Sequence, residues 1–293
     1  MYDIEALYEA KSAAHAVELL REHPEARVIA GGSDVLIEIR EGKLAGCSLV
    51  SIQKLDELRG IGADGDGSIR IGAMTSMSRI AADPVIRKRF SALGEAADAV
   101  GGPQLRNIAT IGGNVCNGVT SADTASTLMA WDAVMEYLSP SGTRRVPIQE
   151  HYTGAGKTAL TGGEILLAVI IPQESYENCF GHYIKYAMRE ALDIATLGCS
   201  ANVRLSGDKA RIERLRLAYG VAGPVPLRAP SAEAAAEDKP VSEAVIAAAA
   251  KAALNDVNPR TSWRAGREFR LHLAEELAKR AIRESVRRAG GSI

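Results

Sequence analysis

"VIAGGSDVLIEI" (Val28–Ile39) and "TIGGNVCNGVTSAD" (Thr110–Asp123) decide the reading of this 293-residue chain. In each, a short apolar run meets a glycine pair, followed by small hydrogen-bonding residues and an aspartate. A backbone that approaches an anion closely must offer N–H groups with no Cβ in the way. Glycine pairs in a turn allow that, and hydroxyl or amide side chains add donors. One such bend is usually only a turn. Two of similar make-up in one presumed domain point to a dinucleotide-type pyrophosphate clasped between them without lysine or arginine.

The more familiar nucleotide motifs are missing. No G-x-G-x-x-G joins a strand to a helix, and "GADGDG" (Gly62–Gly67) has the wrong spacing. "HYTGAGKT" (His151–Thr158) ends like a P-loop, but its first required glycine falls at His151. No kinase catalytic-loop motif follows either glycine pair.

Composition narrows the function classes. A net charge of −1 gives no excess of positive charge to attract nucleic acid or anionic lipid. Aromatic residues, at 4%, are too few for base-stacking platforms. No apolar run approaches the roughly 20 residues of a membrane span. The start, "MYDIEALYEAKSAA", lacks the layout of a secretory signal, so the expected location is cytoplasmic. Cys47, Cys116, Cys179 and Cys199 form no C-x-x-C, and the five histidines include no i, i+4 pair. Neither a disulfide framework nor a metal or iron–sulfur centre is expected in this chain.

Length predicts two domains, with a boundary near residues 173–179. Ser12–Glu22 reads as an amphipathic helix and "ARVIAGG" as a buried strand, while "DVLIEIREGK" reads as a strand or short helix. "SLVSI" is a strand, and "SIRIGAMTSM" is a strand leading into a helix near Ser76. Asp83-Pro84 opens a helix running to Val100, stopped by Gly101-Gly102-Pro103. The second quoted stretch reads as a loop, "TLMAWDAVMEYLSP" mixes helix and strand signals, and "EILLAVIIP" is a buried strand. Three antiparallel strands follow Pro172. Pro224–Pro240 reads as a loop or linker, and helices are predicted over Ser242–Leu254 and about Ser262–Arg288.

"VIAGGSDVLIEIREGK" and "GGPQLRNIATIGGNVCNGVTSADTASTLMAWDA" (Gly101–Ala133) resemble the two signature stretches of the FAD-binding subunits of molybdenum hydroxylases. That family includes xanthine dehydrogenase, the medium subunit of aerobic carbon monoxide dehydrogenase, and 4-hydroxybenzoyl-CoA reductase. "EILLAVIIP", "YIKYAMREALDIATLGCSANVRL" and "NPRTSWRAGREFRLHL" resemble its carboxy-terminal half, so the match runs in order through nearly the whole chain. "CNGVTSADTAS" and "PRTSWRAGREFRLHL" look most like the separate FAD subunit of bacterial xanthine dehydrogenases.

The resemblance implies an α+β chain: a vanillyl-alcohol-oxidase/PCMH-type FAD-binding domain over residues 1–176, with subdomains of about 1–57 and 58–176. A sheet-and-helix domain of the CO dehydrogenase flavoprotein C-terminal type would follow over 177–293. By the same resemblance, each glycine stretch takes one side of the FAD pyrophosphate. The first contributes Val28, Ile29, Ala30, Gly31, Gly32 and Ser33, with Asp34 and Val35 close by; the second contributes Thr110, Gly112, Gly113, Asn114, Val115 and Asn117. Asp123 would accept from a sugar or ribityl hydroxyl, since a carboxylate facing the pyrophosphate is repelled. Leu105 and Leu166 would pack on the adenine end. Lys185 would approach the flavin ring, where a cation favours the reduced, anionic form. Many relatives carry "SPAAD" where this chain has "TSAD", and threonine at Ser33; both changes keep small polar character.

FAD is therefore the cofactor expected in this chain, with the molybdenum cofactor on a large partner subunit and 2Fe-2S clusters on a small one. Substrate would be oxidised at molybdenum, and electrons would pass through the clusters and FAD to NAD+, as in purine catabolism by xanthine dehydrogenases. No side chain is expected as catalytic acid, base or nucleophile. Two alternatives stand: a related hydroxylase with another substrate or acceptor, and a non-redox nucleotide-binding protein. Taken singly, Asp34 would cap its own turn, Cys116 would be a small buried residue, and Arg264, Arg267, Arg270 and Arg280 would form a solvated or partner-facing helix surface.

Overall fold

The computed structural model describes residues 2–293. Three segments of the chain each build a sheet. The first comprises β1 (Ile4–Glu9), α1 (Ala13–Glu22), β2 (Arg27–Ile29), α2 (Val35–Arg40) and β3 (Cys47–Ser51), with parallel strands in the order β1-β3-β2. Ser12 caps α1 by accepting the His15 amide, and the helix buries Ala13, Ala16, Val17, Leu19 and Leu20. "DVLIEIREGK" resolves to the helix α2. Its apolar residues Val35, Leu36 and Ile39 fall at helical spacing and pack together beside Ile29 and Leu49.

The second segment holds β4 (Ile61–Ala63), β5 (Ile69–Gly72), α3 (Met77–Ala82), α4 (Pro84–Arg89), α5 (Ser91–Asp98), α6 (Pro103–Ile108), α7 (Ile111–Cys116) and α8 (Asp123–Ala130). It continues with β6 (Val134–Ser139), β7 (Gly142–Pro147), α9 (Ile148–His151), β8 (Tyr152–Gly154), β9 (Lys157–Thr158) and β10 (Ile165–Ile171). The main sheet is antiparallel in the order β4-β5-β10-β6-β7. The helix expected from Asp83 to Val100 is broken in two at Phe90, whose backbone leaves the helical region. Its fully buried ring lies edge-on to Trp131 and Tyr176, at 5.3 and 5.0 Å. The P-loop look-alike is the β8–β9 hairpin.

The third segment starts with α10 (Gln173–Tyr176) and continues through β11 (Cys179–Tyr186), β12 (Leu197–Leu205), β13 (Arg211–Gly220), β14 (Leu227–Arg228), α11 (Pro230–Ala236), β15 (Lys239–Pro240), α12 (Glu243–Ala252) and α13 (Arg267–Arg288). Its sheet is antiparallel, β11-β12-β13-β14, with β15 alongside β13. Strand β12 is buried nearly throughout because α13 covers one face and α5 and α8 of the preceding segment pack on the sheet as well. Pro224–Pro240 is not a linker. Ala232 and Ala236 of α11 enter the core, and Arg228 is tied to Asp132 and Glu233. Helix α13 begins at Arg267, five residues later than expected, because Ser262 and Ala265 first close a bridged turn. Among the described residues no helix is long and apolar enough to cross a membrane.

Candidate cofactor site

The first glycine bend lies between β2 and α2. The amides of Ala30, Gly31, Gly32, Ser33, Asp34 and Val35 donate to no acceptor among the described residues; the first amide of α2 with a partner is that of Leu36, bonded to Gly32 O. Six consecutive free donors at a half-exposed bend are the kind of groups an anion-binding site draws on. Gly32 has φ +75°, which glycine adopts without a Cβ penalty. Gly31 is held by contact: a Cβ there would stand 1.9 Å from the carbonyl oxygen of Ile108, at the end of α6. The first bend thus rests on the backbone that leads into the second stretch.

That second stretch is not a loop. Thr110 caps α7, its hydroxyl accepting the Gly113 amide at 3.1 Å. The other amides of this first turn are also spent within the protein. Ile111 N–H donates to Thr75 O at 3.0 Å, Gly112 N–H to Ala73 O at 2.8 Å and Asn114 N–H to Thr110 O at 3.0 Å. The two glycine stretches therefore differ in kind. Gly112 is there for packing, since a Cβ would come within 2.7 Å of Ala73 O, whereas Gly113 is exposed and a Cβ would meet only Thr110 Oγ1 at 3.2 Å. Of the two bends expected to cradle one anion with their amides, only the first has amides free to do so; the second offers side chains. Asn117 Nδ2 donates to Asp34 Oδ2 at 3.0 Å, joining the two stretches. Asn114 Oδ1 accepts from Thr124 at 2.6 Å, which leaves its amide nitrogen to donate elsewhere.

Asp34 does not cap its own helix. Partial burial pushes its carboxyl above the ordinary range, against the pull of Asn117. Val115 is fully buried and its carbonyl receives His151 Nε2 at 3.1 Å; Tyr137 engages the other ring nitrogen. The Cys116 thiol is pushed up to about 12 by burial, which keeps it protonated and unreactive. Leu166 is buried on β10 beneath α7, and Leu105 on α6 packs over Gly101; both belong to the core of the second segment.

At the other end of α7 and α8 the third segment enters. Asp123, the first residue of α8, accepts the Tyr183 hydroxyl at 2.8 Å and the Lys185 ammonium at 2.9 Å. Burial raises the Asp123 carboxyl despite both partners, and burial raises the Tyr183 phenol well above its usual range. Tyr183 escaped the sequence reading. Its spacing of two from Lys185 on a strand, which puts both side chains on one face, was the available sign. The Ile108 and Ala99 carbonyls and His151 carried no local signal.

Comparisons with known proteins give the family. Residues 2–174 match the family model described as the FAD binding domain in molybdopterin dehydrogenase, and residues 182–285 match the CO dehydrogenase flavoprotein C-terminal domain. The chain is 43% identical, over all of both sequences, to the xanthine dehydrogenase FAD-binding subunit of Escherichia coli O157:H7. It is 29% identical to the carbon monoxide dehydrogenase medium chain of Hydrogenophaga pseudoflava, over 93% of each. Among solved structures, the carbon monoxide dehydrogenase of Hydrogenophaga pseudoflava superposes with a TM-score of 0.91 at 29% identity over 97% of this chain and 98% of that one. Quinoline 2-oxidoreductase of Pseudomonas putida 86 gives a TM-score of 0.91 at 26% identity, covering 99% of both chains. The free amides of the first bend, the packed α7 turn and the full-length similarity lead to one conclusion: the chain belongs to the FAD-binding medium subunits of the molybdenum hydroxylases.

Proposed function

We propose that this chain is the electron-relay subunit of a xanthine-dehydrogenase-type molybdenum hydroxylase. Substrate is oxidised at a molybdenum centre on a large subunit, iron–sulfur clusters on a small subunit pass the electrons on, and FAD in this chain delivers them to NAD+. The observation that carries the reading is the run of six free amides from Ala30 to Val35, set against a second glycine stretch with Asn114 and Asn117 beside it. This chain's residues fit FAD. The first bend holds the pyrophosphate, Asn114 and Asn117 add donors, Leu105 and Leu166 border the adenine end, and Lys185 lies by the flavin. FAD itself supplies the chemistry side chains lack, accepting electrons singly and delivering them as a pair. Full-length similarity to a bacterial xanthine dehydrogenase subunit supports the choice of substrate and acceptor.

Two measurements test this. Purified chain should release flavin absorbance on denaturation; protein that stays colourless after incubation with FAD removes the relay. The complex co-purified with its partners should reduce NAD+ with xanthine as donor. Turnover of another substrate with none of xanthine, or of quinone or oxygen with none of NAD+, overturns the specific assignment and leaves the relay standing.

A further inference from the structure

Arg270, expected on a solvated helix face, is 2% exposed. Its hydrogen-bond partners are neutral, Ser262 Oγ at 2.8 Å and the Val221 carbonyl at 3.4 Å, and its Nε is buried with none. A buried cation without a counter-charge is costly, because no attraction offsets its desolvation. Two further guanidinium groups add to that cost. Burial first, and then Arg260 and Arg264, push the Arg270 pKa below its ordinary value. The carboxylate of Asp193 reaches this corner, but it is taken by Arg264, at 3.0 Å, and by Arg189.

The same corner opens a 22-residue helix. Ser262 and Ala265 close the turn before α13, and Thr261 Oγ1 accepts the Arg267 amide at 3.1 Å. The next two amides, of Glu268 and Phe269, donate to no acceptor among the described residues. Free amides at the positive end of a long helix, beside an uncompensated guanidinium, are donors that phosphoryl oxygens take. The neighbouring Trp263 is 79% exposed, with the Arg264 guanidinium over its ring at 4.3 Å from the centroid. An indole so exposed offers a base a surface to stack on.

We infer that this corner binds the diphosphate of a nucleotide. Arg260 and Arg264 are its surface cations, the first amides of α13 its donors, Arg270 its buried charge, and Trp263 the platform for the base. None of these residues belongs to the glycine stretches or to the Asp123–Lys185 pair, so the site stands whether or not FAD binds as proposed. A free nucleoside diphosphate and the ADP half of NAD+ carry the same chemistry.

The test is equilibrium dialysis of the FAD-loaded protein against ADP, NAD+ and pyrophosphate. ADP and pyrophosphate should both bind. Arg260→Ser and Arg270→Met should each weaken ADP about tenfold or more. Trp263→Ser should weaken ADP and leave pyrophosphate unchanged. NAD+ weakened by the same variants makes the ligand a dinucleotide; ADP binding without NAD+ binding makes it a free nucleotide. Arg270→Met removes an uncompensated buried charge, so without ligand it should melt no lower than wild type, and ADP should raise the melting temperature of wild type alone. Arg260→Ser, at an exposed position, decides the case where Arg270→Met fails to fold. No binding of ADP or pyrophosphate, or wild-type affinity in Arg260→Ser, overturns the inference. In FAD-free protein the first glycine bend is a rival site for ADP. Loss of ADP in Gly31→Ala with full binding in Arg260→Ser overturns the inference there, and the reverse pattern sustains it even where flavin never binds.

Discussion

Replacing Gly31 by alanine separates the two glycine stretches sharply. The added methyl would sit 1.9 Å from Ile108 O and 2.7 Å from its carbonyl carbon, where ordinary contact starts at 3.4 Å. Both partners are backbone, so no rotamer relieves the overlap, and the bend and the end of α6 must part by more than an ångström. Overpacking of this kind costs about 1–3 kcal/mol. Expressed wholly in cofactor affinity, that is about 5- to 150-fold. Gly113→Ala is the matched control. Its methyl meets only Thr110 Oγ1 at 3.2 Å, and alanine gains about 0.8–1 kcal/mol over glycine inside a helix. Titrating FAD into cofactor-free protein by fluorescence, with thermal melts in parallel, should show weakened binding and a lower melting temperature for Gly31→Ala. Gly113→Ala should melt no lower than wild type. Wild-type FAD affinity in Gly31→Ala, with binding lost in Gly113→Ala, would refute the assignment of the anion to the first bend.

His151 gives a pH dependence. Burial depresses its pKa below the ordinary 6.5, so the unfolded chain takes up the proton first as pH falls. Stability should therefore be full above about pH 6.5 and decline below it until the folded imidazole protonates. Melting temperatures from pH 8 to 5 should show that slope, and His151→Phe should flatten it; a parallel slope in the variant would refute the assignment. Glu164, held down to about 2 mainly by the Arg144 side chain, contributes in a separate window, its share being lost only as pH falls below 4.5. Asp132 joins Arg214 and Arg228 of the third segment to the turn after α8, from a left-handed backbone with φ 48°. Asp132→Ala leaves those partly buried guanidinium groups without this carboxylate and should cost about 3 kcal/mol, the lower end for a broken buried pair. Asp132→Asn, which tolerates that backbone better, should cost less; equal melting temperatures for wild type and Asp132→Ala would sink the claim.

Which parts of the site are readable in the sequence follows from the range of the interactions that make them. The bend at Gly31-Gly32 is local: an apolar strand, a positive-φ glycine and a helix of spacing Val35, Leu36, Ile39. Helix α7 is the opposite case. Two glycines in six residues disfavour a helix by about 1 kcal/mol each, and local propensity reads a loop. The turn forms because Thr75 and Ala73, some 36 to 39 residues earlier on the chain, supply carbonyls to Ile111 and Gly112. The same holds for Pro224–Pro240, where proline and alanine suggest a linker and the Arg228–Asp132 pair, 96 residues apart, makes it structure. Lys185 has an ordinary strand neighbourhood. Family resemblance alone marks it, because its partners Asp123 and Ala99 are 62 and 86 residues away.

The position of Lys185 also bears on why the two domains work as one. It belongs to β11, yet both of its acceptors lie in the preceding segment, and Tyr183 reaches the same carboxylate. The contact is reinforced away from the site. Asn202 Nδ2 donates to Ala130 O and Ser175 O, at 3.1 and 3.2 Å, and Arg288, at the end of α13, pairs with Glu95 on α5. Every residue of α8 is buried, which a helix on the outside of a domain cannot be; the sheet of the third segment supplies the missing cover. Helix α8 carries Asp123 and packs against α7, so the docking that buries it also sets the distance between the free amides of the first bend and the ammonium of Lys185. A rocking of the third segment would have to break a buried ion pair and uncover an apolar helix together. The candidate site is therefore rigid where the two domains meet, and the spacing between the free amides of the first bend and the Lys185 ammonium is fixed by packing.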